Sequence, residues 1–182
     1  MATRVILTYA DYAAIPNDGR RYELHGGELS VTPAPGTRHQ RVVGALFALL
    51  REHVVSRRLG EVFVSPIDCI LSDTSVVQPD VAYVEGERLT AISDRGIEGA
   101  PTLVVEVLSP STIQIDRSVK GQLYAKHRVP CYWIVDPDRR TIEAFELAGE
   151  GYRLAARLEG TQPAVLAPFP DLALDPAGIW PR

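Results

Sequence analysis

Glu106 stands inside an otherwise apolar run, Leu103-Val104-Val105-Glu106-Val107-Leu108. A short, bounded, Val-rich run of this kind reads as a fully buried central strand, where an unpaired carboxylate is costly enough to protonate rather than stay charged. Glu106 therefore needs a cation. Asp80 follows Pro79 in a second Val-rich stretch, Val76-Val77-Gln78-Pro79-Asp80-Val81-Ala82-Tyr83, which reads as one strand. Two such strands laid side by side, each carrying one carboxylate, can present both groups to a single hard divalent ion. Taken singly, each acid has a plainer explanation: a buried arginine beside Glu106, or a turn at Asp80. Taken together, they point to a metal site.

The basic residues add a third candidate. Of 19 basic side chains only Lys120 and Lys126 are lysines, the rest being arginine. In a chain so biased, a remaining lysine marks a place where a compact ammonium serves and a planar guanidinium does not. Lys120 follows the Glu106 strand on the next predicted helix, although an i,i+4 pair with Asp116 on a solvated face would also explain it.

Composition narrows the classes. The 182 residues, with no Ser/Gly-rich linker, read as a single domain spanning 1–182, with a core over about 20–158 and an irregular Pro-rich tail over 163–182 on the surface. A hydrophobic content of 46% with 23% charged residues argues against disorder. No segment reads as a membrane span or signal peptide, so the expectation is a cytoplasmic protein with no membrane partner. The net charge of -4 argues against a protein whose main task is coating nucleic acid; a nucleic-acid substrate would need a local basic patch. Cys69 and Cys131 lack metal-ligand spacing and read as reduced core thiols.

The elements that must position these residues follow from periodicity. Tyr22 to Val31 reads as a hairpin turning at Gly26-Gly27. Thr37 to Leu59 has helical spacing, with Val42, Val43, Leu46, Phe47, Leu50 and Val54 on one face, Arg38, Arg41, Arg51 and Arg57 largely on the other, and Gly60 ending it. Strands are expected at 61–65, 68–71, 76–83, 103–108 and 131–135, then a terminal antiparallel pair at 141–147 and 152–158. A short helix fits Glu87 to Ile92. A longer one, capped by Ser111 or Thr112, fits the stretch to His127 with Val119 and Leu123 facing inward. Asp136 belongs to the turn with Pro137. The order implies an α/β (α+β) fold, a mixed central sheet with helices on its faces and a hairpin at the N-terminus.

This order, with Pro79-Asp80 on one strand and Glu106 on the next, resembles the PD-(D/E)XK nuclease superfamily with its restriction endonuclease-like core. The span from Tyr22 to Leu147 more closely resembles the Uma-two (Uma2) family of restriction-type endonucleases. The likeness is carried by Tyr22-Glu23-Leu24 with Gly27-Glu28, Arg38-His39-Gln40, Gln78-Pro79-Asp80-Val81, Leu103 through Thr112, Asp116 through Lys120 with Tyr124, and Tyr132 through Pro137. One position departs from the superfamily pattern, since Leu108 stands where a lysine usually follows the acid by two residues. The resemblance implies that Lys120 supplies the missing charge from the following helix.

It further implies an endonuclease hydrolysing phosphodiester bonds in nucleic acid, most simply DNA, with Mg²⁺ or Mn²⁺ held by Asp80 and Glu106 and with Lys120 as the third catalytic residue. Glu28 and His39 match family positions and are accessory candidates, and Arg38, Arg41 and Arg117 are candidate phosphate contacts. A homodimer fits such an activity, because two sites about a two-fold axis reach both strands of a duplex. Two other classes stay open at this level: a catalytically silent module that keeps the fold to bind nucleic acid or protein, and a metal-dependent hydrolase of another phosphate ester, which would need a closed pocket.

Overall fold

The computed structural model describes residues 5–109 and 115–180, and of residues 115–117 the backbone only. Two six-stranded sheets and one long helix organise it. The larger sheet has the order β12-β11-β10-β9-β6-β3, built from β3 (Gly60–Val64), β6 (Val81–Glu85), β9 (Leu103–Val107), β10 (Cys131–Asp136), β11 (Thr141–Ala148) and β12 (Gly151–Leu158). β9 and β10 run parallel, and the other neighbours pair antiparallel. The smaller sheet has the order β2-β1-β5-β4-β8-β7, from β1 (Arg21–His25), β2 (Glu28–Thr32), β4 (Cys69–Ser72), β5 (Ser75–Val77), β7 (Ile92–Ser93) and β8 (Gly96–Glu98).

Strand alternation decides which face each β9 side chain meets. Leu103, Val105 and Val107 pack into the layer filled by helix α2 (Thr37–Arg57) through Val42, Val43, Leu46, Leu50 and Val54. Val104 and Leu108 pack on the opposite layer, against Cys69, Val77 and Ile97 of the small sheet and Leu123 and Tyr124 of helix α3 (Gly121–Lys126). Glu106 shares that second face. The large sheet is thus covered on one side by a helix and on the other by a small sheet and a helix, as an apolar two-faced sheet requires.

The hairpin and α2 form where the hydrophobic pattern places them. Helix α2 stops at Arg57, with Arg58 left-handed at φ 57°, and Gly60 opens β3 instead of merely ending the helix. The short 3₁₀ helix over Gly86–Ala91 is also in place. Helix α1 (Tyr9–Ala13) and the short strands β7 and β8 lie in segments too brief for periodicity to reveal.

Three expectations need correction. Residues 76–83 are not one strand: β5 belongs to the small sheet and β6 to the large one, with Gln78-Pro79-Asp80 crossing between them. Pro79 has no N–H to give to a ladder, so the chain changes sheets there. Val119 does not face inward but is 44% exposed, while Lys120 is 5% exposed. The backbone over Ile115–Lys120 is a π-helical turn, whose wider winding shifts which side chain faces the sheet, and the cap expected at Ser111 or Thr112 lies outside the described residues.

The third correction concerns the segment after Pro163, expected on the surface. It holds a short antiparallel pair, Ala164–Val165 with Ala173–Leu174, and a 3₁₀ turn over Pro176–Gly178, and its Leu166, Phe169, Leu174 and Ile179 are buried in the α2 layer. The Phe169 ring centroid lies 4.9 Å from that of Tyr83, and the Trp133 indole N–H donates to the Ala167 carbonyl at 2.7 Å. Prolines remove any period from this stretch, so its apolar residues could not be recognised as a core face. Cys69 and Cys131 are free and buried; burial pushes the Cys131 thiol up to about 11 and that of Cys69 higher still, leaving both protonated.

Candidate active site

Asp80, the residue before β6, and Glu106, within β9, arrive at one place. β6 and β9 pair antiparallel with Val81 opposite Val105, so the next step of the register sets Asp80 opposite Glu106. Asp80 accepts the Val107 backbone N–H at 2.8 Å through Oδ2, which pins the carboxylate to the end of β9. The same Oδ2 lies 3.1 Å from His39 Nε2, on the first turn of α2, and Arg21 approaches Oδ1 at 3.9 Å from β1.

Glu106 has its cation. Lys120 Nζ lies 3.0 Å from Glu106 Oε1, and the Tyr124 hydroxyl donates to that same oxygen at 2.5 Å. Tyr124 is fully buried, and burial together with the Glu106 and Glu23 carboxylates drives its phenol well above the usual value, so it stays a donor. With Leu108 buried in the second core layer, the ammonium comes from the start of the following helix, four residues before the tyrosine.

A third acid joins them. Lys120 Nζ also lies 3.0 Å from Glu23 Oε1 on β1, so one ammonium bridges a carboxylate from each sheet. Glu23 is 1% exposed. Burial opposes its charge, but the Lys120 ammonium, the His25 ring at 3.2 Å and the Gln78 backbone N–H at 2.7 Å outweigh that penalty and hold its carboxyl down at about 2. Glu23 lies in the hairpin sequence Tyr22-Glu23-Leu24 that carries part of the family likeness, and that was its one signal; its alternating surroundings read as a half-exposed strand. Tyr124 was legible in the same way only.

A small cleft opens over these groups, lined by Asp80, Glu106, Lys120, His39, Arg21 and Ser109, with Thr32, Pro33 and Pro35 on the β2–α2 side. The other candidates divide around it. Glu28 is exposed at the head of β2 and is not among the residues that line the cleft. Arg38 is held by the β10–β11 turn, donating to the Pro137 carbonyl at 3.0 Å and pairing with Asp138. Arg41 is exposed on α2, and the side chain of Arg117 lies outside the described residues. Asp136 caps its turn, accepting the N–H groups of Asp138 and Arg139 at 3.0 Å.

Oxygen donors at the entry to one strand and within the next, steadied by a backbone N–H and a phenol, suit a hard divalent cation better than a soft one. Among the described residues there is no cluster of three or more His, Cys, Asp and Glu side chains that could hold a metal. Mg²⁺ does not demand one, because one or two carboxylates commonly hold it and water and substrate phosphates complete its shell. The donor set fits.

The family described as "Putative restriction endonuclease", Uma2, matches residues 9–177. The chain belongs to the Uma2 family. An uncharacterized protein of Synechocystis sp., sll1609, is 27% identical over 164 residues, which cover 88% of this chain and 92% of that one. A crystal structure at 1.96 Å resolution from Anabaena variabilis, described as a putative nuclease, aligns with a TM-score of 0.79 over 96% of this chain and 97% of that one, at 18% identity. The fold is therefore that of this nuclease-like group, a mixed α+β architecture with helices flanking central sheets. Among the described residues no helix is long and apolar enough to cross a membrane. The Uma2 match spans every lining residue of the cleft, from Arg21 to Lys120.

Proposed function

We propose that this protein is a metal-dependent endonuclease that hydrolyses phosphodiester bonds, most simply in DNA, and that Asp80, Glu106 and Lys120 carry the reaction. The observation behind this reading is the Lys120 ammonium 3.0 Å from Glu106 Oε1, an arrangement that restores from a helix the charge missing at Leu108. Asp80 and Glu106 would hold Mg²⁺ or Mn²⁺. When bound, the ion supplies Lewis-acid neutralisation of phosphate charge and lowers the pKa of its water.

The chain's own groups do the rest. Lys120 sits where it can orient the attacking water and offset charge developing on the phosphate. Tyr124 and Glu23 keep Glu106 and Lys120 in register, and His39 and the Val107 N–H do the same for Asp80. Arg21, which lines the cleft 3.9 Å from Asp80 and also donates to the Gln78 carbonyl at 2.7 Å, is the cation nearest to take a phosphate oxygen, whereas Arg38 is turned to the β10–β11 turn. A homodimer in the cytoplasm goes with this reading, since two clefts about a two-fold axis serve the two strands of a duplex.

The test is calorimetric titration of Mg²⁺ and Mn²⁺ into the protein and its Glu106→Gln variant, followed by incubation with plasmid DNA. Metal binding lost in the variant, and strand cleavage lost in both Glu106→Gln and Lys120→Ala, is the expected result. Equal binding by the two proteins would sink the metal-nuclease reading.

One observation favours a second reading. Lys120 bridges Glu106 and Glu23, so these buried carboxylates already share an ammonium partner without a metal ion. A silent module that binds nucleic acid in this fold would bind DNA with the same affinity with and without metal, and would leave it intact.

A further inference from the structure

Alongside α3, lined by Gly121, Gln122, Ala125 and Lys126 of that helix, lies a cavity of about 480 Å³, within the usual size of small-molecule sites. Its floor is Tyr132 and Ile134 of β10, both at most 4% exposed, and Phe145 of β11 and Tyr152 of β12 form its walls. Tyr152 is fixed by its hydroxyl, which donates to the Val129 carbonyl at 2.8 Å. The Tyr132 centroid lies 6.2 Å from that of Phe145 and 5.5 Å from that of Tyr152, with interplanar angles of 31° and 46°. Three rings around one concavity suit a flat aromatic guest.

The rim has a different chemistry. Lys126 and Arg128, both exposed, stand at the end of α3. The Arg128 guanidinium is anchored to the β11–β12 turn through the Gly149 carbonyl. Two cations beside one acid, Glu150, favour an anionic group, and paired Lys and Arg side chains suit phosphate. Gln122 and Glu150 supply a donor and acceptors for the edge of a base.

We propose that this cavity binds a nucleotide unit, with the base among Tyr132, Phe145 and Tyr152 and the phosphate at Lys126 and Arg128. The unit comes either from a free nucleotide or from one residue of a single strand, and the chemistry is the same. The proposal does not depend on the nuclease reading. It does place a second ligand next to the cleft: Gly121 lines the cavity directly after Lys120, and the Tyr132 ring packs 5.3 Å from that of Tyr124, whose hydroxyl holds Glu106.

The experiment titrates adenosine monophosphate, adenosine and a short single-stranded oligonucleotide into the protein with EDTA present, so that no divalent ion contributes. Heat and the aromatic NMR signals of Phe145 and Tyr152 report binding. The same titrations use Phe145→Leu, which keeps an apolar wall but removes a ring, Lys126→Glu, and Glu106→Gln.

Binding that weakens roughly tenfold or more in Phe145→Leu, weakens in Lys126→Glu, and persists in Glu106→Gln supports the site. With that pattern, binding of the monophosphate identifies free nucleotide as a source, and binding of the oligonucleotide alone identifies the strand. Adenosine should bind more weakly than its monophosphate. No binding of any probe, or binding indifferent to both Phe145→Leu and Lys126→Glu, overturns the proposal. Should Phe145→Leu fail to fold, Lys126→Glu decides the matter alone, because Lys126 is exposed and outside the core.

Discussion

Glu23 ties the two sheets together through a single charge. It meets Lys120 at 3.0 Å, and Lys120 meets Glu106 at the same distance, so neutralising Glu23 removes a charge partner from a buried ammonium. Glu23→Gln is expected to destabilise the fold by about 2 kcal/mol, the scale of a buried hydrogen bond to a charged group, as measured by urea denaturation at neutral pH. The pH dependence has a definite sign. The folded carboxyl of Glu23 titrates at about 2 against an ordinary value of 4.5, so its contribution is present above pH 4.5 and is lost as pH falls from 4.5 towards 2. The stability gap between wild type and Glu23→Gln should therefore narrow over that window; a constant gap would contradict the assignment. At this scale the sequence was legible where a residue violated its surroundings. Glu106 was visible because an acid interrupts a run of valines. Glu23 was not, because an acid in an alternating hairpin violates nothing, and only three-dimensional folding shows that both faces of β1 are covered.

Periodicity reported the elements well when they were long and poorly when a single residue redirected them. Helix α2 and strands β9 to β12 were readable, whereas Pro79 split one apparent strand into two and the π-helical turn exchanged Val119 for Lys120. Both local irregularities position candidate site residues, Asp80 in the first case and Lys120 in the second, which is where regular patterns are expected to fail. One glycine within α2 and one just beyond it test the geometry. At Gly60, with φ 148°, an added Cβ would sit 2.1 Å from the Val84 carbonyl oxygen, on the strand that leads back to Asp80. Gly60→Ala should cost about 2 kcal/mol or more, from strain and a backbone clash together. Gly44 lies mid-helix, exposed, with nothing within 4 Å, so Gly44→Ala should instead stabilise by about 0.5 to 1 kcal/mol. Thermal melts of the two variants should move in opposite directions.

Across the whole molecule, the least legible part was the segment after Pro163. Its apolar side chains have no common period, yet Phe169 is 2% exposed and touches the rings of His53, Tyr83 and Trp133. Phe169→Ala should destabilise by about 3 to 5 kcal/mol, as truncation of a buried aromatic does, and a chain ending at residue 162 should lose its cooperative melt. Retention of a sharp transition by the shortened chain would show that this layer is dispensable. The arrangement also bears on the order of synthesis. Residues 166–179 leave the ribosome after Asp80, Glu106 and Lys120, so a nascent chain carries all three while one side of its central sheet still lacks its filling. Its cleft gains a firm backing only with that later stretch, so on the function proposed above a growing chain beside cellular nucleic acid is a blunt tool until then.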